Sequence, residues 1–388
     1  MDLSRRRLLA FLAATFVDRW CLCNTRAITG AGRGSRGPKV IVLACGGIRR
    51  AETFSSSGLA NIPYLSGELL SQSTFFPAMR NAGVTSHYNT LSSIVTGNWQ
   101  RVDDWGKEPP RTPTVFEYVR RHLGLAADEV WFISSNKALT SRIGASSDPD
   151  YGTRWGANVV FPKQLLIDAV VNAATQGRAS SSVNRDTMLP ELAAMLETTN
   201  YEGLGWSVEG SDALPDSRTS AAVLGAIQNL VRTRDPATGD EFTFLVAVEV
   251  MRRFSPSLMV LTFSDVEVAH FGSYSLHLAG IRTLDRLVRE LWDEIQTNPE
   301  YRSKTTLFVL PEFGRDLDGS PTNGFFNHRL DNDSTRMTWM MCLGAAARTG
   351  YSVERTVQQV DLCPTILRML GLPPTGMQGV ILPEVRLG

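Results

Sequence analysis

The sequence predicts an α/β fold, a three-layer sandwich with a mainly parallel central sheet and helices on both faces. Short apolar runs rich in β-branched residues, such as "KVIVLACGG" at 39–47, indicate buried strands of a parallel sheet. Amphipathic helical patterns separate these runs along the chain. Strands that alternate with helices are typical of layered folds whose functional side chains follow the carboxyl ends of the strands.

The predicted elements follow one another in a regular order. The predicted strands span 39–47, 129–134, 257–263, 304–311 and 337–344. The predicted helices span 114–123, 163–175, 189–198, 219–233, 276–296 and 363–370. The pattern at 276–296 is the clearest, because Leu278, Ile281 and Leu284 begin an apolar face at helical spacing. That face indicates a helix packed on the core.

The beginning of the sequence predicts export. Three arginines precede an apolar run at 8–17, which is too short to span a bilayer and suits a secretory signal. Ser4, Arg5 and Arg6 before a Leu pair resemble a twin-arginine signal. We therefore expect a periplasmic or extracellular protein, with residues 1–28 as the export signal. No integral membrane span is expected after signal removal.

The rest of the chain predicts one domain. Residues 29–38 are Gly-rich and basic, which is typical of a flexible linker. Residues 39–388 form the predicted domain, and its stretch at about 135–215 is poor in strand patterns and is interpreted as a cap or insertion. Lys+Arg and Asp+Glu both number 39, and this balance argues against broad nucleic-acid binding. The absence of a CxxC pair argues against a zinc knuckle or a thioredoxin-type site.

Acidic and histidine side chains follow two of the predicted strands. Asp265, Glu267 and His270 come after 257–263, Glu312 follows 304–311, and His328 comes sixteen positions later. Imidazole nitrogens and carboxylate oxygens are good ligands for zinc or manganese. Because the ends of parallel strands share one edge of a sheet, the pattern predicts a metal site there.

Six motifs in this order resemble the alkaline phosphatase superfamily, which includes sulfatases, nucleotide pyrophosphatases and cofactor-independent phosphoglycerate mutases. The resemblance spans about residues 39–372. The motifs are "VIVLACGGIR", "HYNTLSSIVTG", "DVEVAHFGS", "TLFVLPEFGRD", the late histidine in "NGFFNHR", and "VDLCPTILRMLGL". The resemblance implies an alkaline phosphatase-like fold and a metal-dependent hydrolase of phosphate or sulfate esters.

The resemblance implies two metal sites of unequal completeness. For the first, it assigns Glu267 or Asp265, His270 and His328. For the second, it assigns an acid after the first strand and an Asp-His pair, and here Gly46 stands for the acid and Glu312-Phe313 for the pair. We therefore expect one divalent ion rather than two, zinc in the first place, with manganese or calcium as alternatives. Glu52 is a candidate to replace the missing acid.

The nucleophile that the resemblance implies is altered. Family members have Ser, Thr or a modified Cys ten residues before the glycine of Thr-Gly, and here that position is His87. Imidazole can attack phosphorus directly, bind a metal or simply occupy the place. Ser86 and Thr85 are the alternatives if the loop is shifted. Arg49 could clamp an anionic ester or belong to a solvated turn.

Two functions follow from these residues. The first is an exported metal-dependent hydrolase that acts on a small anionic ester, with His87, Ser86 and Arg49 as catalytic candidates. The second is a family member without catalysis that binds an anionic ligand or a partner, with at most one structural metal. For Glu312, the alternative to a metal role is a structural salt bridge with Arg315. The sequence predicts neither the oligomeric state nor the particular ester.

Overall fold

The computed structural model describes residues 37–104, 106–164 and 238–386. The predicted export signal at 1–28 and most of the linker at 29–38 lie outside the described residues. The cap at 135–215 is described only to residue 164, and so is the helix predicted at 163–175. The helices predicted at 189–198 and 219–233 lie outside as well.

A nine-stranded mixed sheet forms the centre of the described structure, in the order β4-β3-β5-β1-β6-β7-β2-β8, with β9 also paired to β2. The strands are β1 Lys39–Cys45, β2 Ser73–Arg80, β3 Val130–Ser134, β4 Asn158–Val160, β5 Leu258–Phe263, β6 Thr305–Pro311, β7 Met337–Gly344, β8 Tyr351–Ser352 and β9 Val357–Gln358. The pairings of β7 with β6 and β2 are antiparallel, and the other strand pairings described are parallel. The predicted, mainly parallel sheet is confirmed.

Helices cover both faces of the sheet. The α-helices are α1 His87–Thr96, α2 Val115–Leu123, α3 Gly239–Phe254, α4 Tyr274–Thr297, α5 Asp333–Arg336 and α6 Leu362–Met369. Side chains alternate along β1, so that Ile41 and Leu43 join the core under α3 and α4. Val40 and Val42 join a second core under α1, α2 and α6. The predicted three-layer sandwich is therefore confirmed. Within the described ranges, no helix combines the length and the apolar character needed to cross a membrane.

Several of the described elements have no counterpart among the predicted strands and helices, strand β2 and helix α3 among them. Strand β2 contains Pro77 and shifts register between Phe76 and Met79, so its sequence lacks a regular strand pattern. Helix α3 buries most of its surface between the sheet and α4, and its sequence therefore lacks an alternation of apolar and polar faces. Both elements are set by their tertiary surroundings more than by local patterning.

The register of three central strands fixes where the site lies. Cys45, the last residue of β1, is opposite Phe263 on β5 and Pro311 on β6. The segments that follow β1, β5 and β6 therefore leave the sheet at the same edge. The segment after β5 is a short 3₁₀ helix, Asp265–Phe271. Helix α1 also begins at this edge, because His87 and Glu312 are in contact.

Candidate metal centre

Four side chains converge at the carboxyl edge of the sheet. His87, Glu267, His270 and His328 each present one ligand atom, and these atoms all lie within 4.8 Å of one another. Glu267 Oε2 is 3.2 Å from His270 Nε2 and 3.3 Å from His87 Nε2. The Nε2 atoms of His270 and His328 are 3.2 Å apart. Three imidazoles and one carboxylate thus point at a common centre.

The secondary structure explains why these side chains meet. Glu267 and His270 are three residues apart on the 3₁₀ helix Asp265–Phe271, whose repeat of three residues per turn places them on one face. His87 is the first residue of α1. His328 lies on the loop after β6 and is tied to the start of α1 by two bonds. Thr85 Oγ1 donates to the carbonyl oxygen of His328 at 2.7 Å, and His328 Nδ1 donates to that of Thr85 at 2.6 Å.

Hydrogen bonds behind the histidines fix which ring nitrogen faces the centre. Because a carbonyl oxygen can only accept, the bond to Thr85 requires a proton on His328 Nδ1 and leaves Nε2 as an acceptor. His87 Nδ1 lies 2.6 Å from the carboxylate Oε2 of Glu312, which has the same effect on that ring. A carboxylate or carbonyl behind a metal-ligating histidine is the usual arrangement in metal sites.

Glu267 is held as an anion inside the protein. Its Oε1 accepts the Gly47 N–H at 2.5 Å, and its Oε2 pairs with the buried guanidinium of Arg315. Burial alone would raise the pKa of Glu267, but the positive charge of Arg315, with smaller contributions from the neighbouring His87 and His270, outweighs that effect. The pKa of Glu267 is therefore held well below its usual range. The carboxylate is ionised, as a metal ligand must be.

Burial also controls the late histidine and the access to the site. Removal from water lowers the pKa of His328 well below its ordinary value. His328 is therefore neutral at pH 7. Phe313 is fully buried and stacks on the His328 ring at a centroid distance of 4.2 Å. His270 has a side chain 25% exposed, compared with 7% for His87, so the centre opens to solvent on the side of His270.

The donor set fits a divalent metal ion. Zinc sites are built from imidazole nitrogens and carboxylate oxygens at 2.0–2.2 Å from the ion, so neighbouring donors on a tetrahedron lie about 3.3 Å apart. Three of the six donor separations, at 3.2, 3.2 and 3.3 Å, match that spacing, and all six lie within 4.8 Å. The tautomers of His87 and His328 and the ionised carboxylate of Glu267 supply lone pairs at the centre. On these grounds the residues fit a divalent metal ion.

The structure places the other residues singled out in the sequence outside the donor cluster. Asp265 points away to α3, where its Oδ2 accepts the Asp240 N–H at 3.1 Å. Glu312 stands behind His87. Ser86 precedes α1, and its hydroxyl donates to Asp104 at 2.8 Å. Of the predicted metal-site residues, Glu267, His270 and His328 are brought together, and His87 joins them.

The two arginines have different partners from those considered for them. Arg49 is buried and bonds Glu52 at 2.6 Å and Asp318 at 2.8 Å, so its guanidinium is already engaged by two carboxylates. Glu52 therefore does not reach the centre in place of the missing acid. The suggested pairing of Glu312 with Arg315 is wrong, because Arg315 pairs with Glu267.

Sequence reasoning missed the structural role of Arg315 at the centre. Its Nε donates to the carbonyl oxygen of Gly47 at 2.7 Å and its Nη1 to that of Phe325 at 3.2 Å, and the residue is fully buried. The only local signal was an arginine three residues after Glu312, just past a strand end. A partner 48 positions away cannot be read from such spacing.

No protein-family model and no curated protein matches the chain in sequence. Solved structures do share its fold. A phosphonate monoester hydrolase from Silicibacter pomeroyi is 15% identical, with 89% of this chain and 76% of that chain covered and a TM-score of 0.53. One from Agrobacterium radiobacter is 14% identical, with 90% and 77% covered and a TM-score of 0.53. The 2-O GAG sulfatase BT1596 is 10% identical, with 89% and 73% covered and a TM-score of 0.52. At such identities the likeness shows the fold alone, and for the fold the resemblance drawn from the motifs is confirmed.

Proposed function

We propose that the protein is a hydrolase of phosphate or sulfate esters that works with a single divalent metal ion, zinc in the first place. The observation that carries the proposal is the convergence of three imidazole nitrogens and one carboxylate oxygen at the carboxyl edge of the sheet. The fold adds support, because solved structures that share it are named as a sulfatase and as phosphonate monoester hydrolases.

In this proposal Glu267, His270 and His328 hold the metal. When bound, the ion polarises the ester and offsets negative charge on the group being transferred. The protein supplies the remaining electrostatics. Glu267 and Glu312 are negative and Arg315 is positive, so these three groups leave one net negative charge, which a divalent ion converts to a net positive charge. An anionic ester is therefore attracted only to the metal-loaded site.

His87 is the proposed nucleophile. Its Nδ1 proton is held by Glu312, and its Nε2 lone pair faces the centre where the ester would lie. In the first step a bond forms from Nε2 to phosphorus or sulfur as the bond to the ester oxygen breaks. The leaving oxygen takes a proton from the solvent on the open side, near His270. Water then cleaves the new bond, which gives the free acid and restores His87.

Neither Ser86 nor Arg49 has a catalytic role in the proposal. The Ser86 hydroxyl is bonded to Asp104, and the guanidinium of Arg49 is bonded to Glu52 and Asp318. The proposed substrate is a small anionic ester rather than a nucleic acid, in keeping with the balanced charge of the chain. Export remains a proposal that rests on the twin-arginine-like residues at the start of the sequence.

The experiment combines a metal analysis with an ester panel. Purified protein is assayed for bound zinc, manganese and calcium, and then for turnover of a phosphomonoester, a phosphodiester, a phosphonate monoester and a sulfate ester. We expect about one equivalent of metal and turnover of at least one ester class. His87→Ala should keep the metal and lose turnover. The matched control is His122→Ala, because His122 is exposed and bonds Tyr151 on the surface.

Two results would count against the proposal. Protein that takes up no metal and melts at the same temperature with and without chelator has no metal centre. Loss of bound metal in His87→Ala, with turnover lost together with it, would make His87 a fourth ligand rather than the nucleophile.

A second function, binding of an anionic ligand without turnover, is favoured by one observation. His87 Nε2 lies 3.3 Å from Glu267 Oε2, which is the separation expected if His87 were a fourth metal ligand. Catalytic zinc sites instead keep their fourth position open for water or substrate. Metal-loaded protein that binds inorganic phosphate or sulfate in calorimetry but turns over none of the esters would favour this function.

A further inference from the structure

The glycine that directly follows β1 matters for the space that it leaves rather than for its backbone conformation. Gly46 is not among the residues with positive φ, so its backbone is open to any residue type. A Cβ atom built on Gly46, however, would lie 2.9 Å from Cδ and 3.0 Å from Cγ of Glu267 and would overlap its Oε1. The carboxylate of Glu267 therefore fills the volume that a side chain at position 46 would occupy.

Glu267 has no room to move away from such a side chain. It is fully buried, and its two oxygens are fixed by groups from three other segments: the Gly47 N–H after β1, Arg315 after β6, and His87 on α1. Retreat would break the buried ion pair with Arg315 and the bond to Gly47 together. Positions 46 and 267 therefore compete for one volume, which holds one carboxylate.

We propose that Gly46 is a positioning residue that admits the Glu267 carboxylate to the metal centre. The centre takes its one carboxylate ligand from the 3₁₀ helix after β5, and the end of β1 contributes the empty space and the Gly47 N–H. The proposal rests on the proposed function only in treating Glu267 as a metal ligand. It implies that the acid can be moved from position 267 to position 46, provided that the residue left at position 267 is small.

The test measures zinc affinity by calorimetry and the melting temperature in chelator for four variants. Gly46→Ala should weaken zinc binding roughly tenfold to a hundredfold, which is the usual effect of disturbing the support of a metal ligand. Gly67→Ala is the matched control, because Gly67 is exposed and a Cβ there meets nothing within 4 Å. Glu267→Ala should lose zinc binding. Gly46→Asp combined with Glu267→Ala should recover affinity to within about tenfold of the wild type.

The outcomes separate this inference from the proposed function. If wild-type protein binds zinc and Gly46→Ala binds it equally well, the inference is overturned while the proposed function stands. If the wild type binds no zinc, the metal centre fails. The role of position 46 is then tested by thermal melting in chelator. The melting temperature of Gly46→Ala should be at least roughly 5 °C below that of Gly67→Ala, because the added methyl group displaces Glu267 from Arg315. Equal melting temperatures of these two variants would overturn the inference in that case as well.

Discussion

Replacing Arg315 by Met is expected to destabilise the metal-free protein strongly. Arg315 and Glu267 have side chains 0% and 1% exposed, so the substitution leaves a buried carboxylate without its counter-charge. Breaking a buried ion pair by removing one partner costs about 3–5 kcal/mol. The guanidinium also donates to the carbonyl oxygens of Gly47 and Phe325, and each lost bond adds about 1 kcal/mol. The ion pair and the two bonds together amount to about 5–7 kcal/mol, and we expect a loss at the lower end, about 5 kcal/mol.

The assay is urea unfolding in the presence of a chelator, followed by circular dichroism and tryptophan fluorescence. With a denaturant slope of about 3 kcal/mol/M, a loss of 5 kcal/mol moves the midpoint down by roughly 1.7 M. The control is Arg355→Met, because Arg355 pairs with Glu384 but its side chain is 44% exposed. An exposed pair is worth about 1 kcal/mol or less.

A double variant separates the effect of the unpaired charge on stability from the effect of the changed side-chain shape. Glu267→Leu combined with Arg315→Met removes both charges, and replacing a buried ion pair with apolar groups is often neutral or stabilising. We therefore expect the double variant to regain most of the stability that Arg315→Met loses. The reasoning is refuted if Arg315→Met unfolds at the same urea concentration as Arg355→Met, or if the double variant is less stable than Arg315→Met.

Three further predictions concern turnover, pH and metal removal. Glu312→Gln should lower turnover about tenfold and leave the metal content unchanged, because it replaces a charge-assisted bond to His87 with a neutral one. The control Glu384→Gln should change neither turnover nor metal content. Loss of metal in Glu312→Gln would instead make Glu312 a metal ligand. Burial raises the pKa of Asp285 to about 6. The folded state therefore binds its proton more tightly than the unfolded state, and the stability that this gives, roughly 3 kcal/mol, is complete below about pH 4 and lost as pH rises through 6. Thermal melts of Asp285→Asn should lack this decline, and equal profiles for variant and wild type would contradict it. A chelator should lower the melting temperature relative to a zinc-containing reference sample, and the difference should grow with the zinc concentration of that sample. The reason is that an ion at 100 times its Kd stabilises the folded state by about 2.7 kcal/mol. An unchanged melting temperature would contradict this prediction.

The central strands and the long amphipathic helix were predictable because their signals are local. Each of β1, β5 and β6 is a continuous apolar run, and burial on both faces of a parallel sheet requires such runs. The five predicted strands agree with the observed ones to within two residues at each end, and the strand predicted at 337–344 agrees at both ends. Helix α4 has apolar residues at helical spacing on its buried face and polar residues on its exposed face. Strand β2 and helix α3 carry no such pattern, because one is kinked at a proline and the other is almost wholly buried.

The site was predictable in its residue types and less so in its contacts. Order along the chain located Glu267, His270 and His328, since each follows a strand end. It could not choose between Asp265 and Glu267, because that choice depends on which way the 3₁₀ helix turns its side chains. The structure turns Asp265 toward Asp240, where reciprocal backbone N–H bonds hold the two carboxylates. Nor could spacing show that Arg315 belongs to Glu267, since that contact exists only once β5 and β6 are placed on either side of β1.

The buried arginine bears on the order in which the protein is assembled. In many metal sites the carboxylates repel one another and stay hydrated until the ion binds, so that folding depends on the metal. Here the carboxylate has a permanent cation beside it, one that neither a chelator nor alkaline conditions can remove. The chain can therefore complete its fold first and receive its ion afterwards, in whichever compartment provides one.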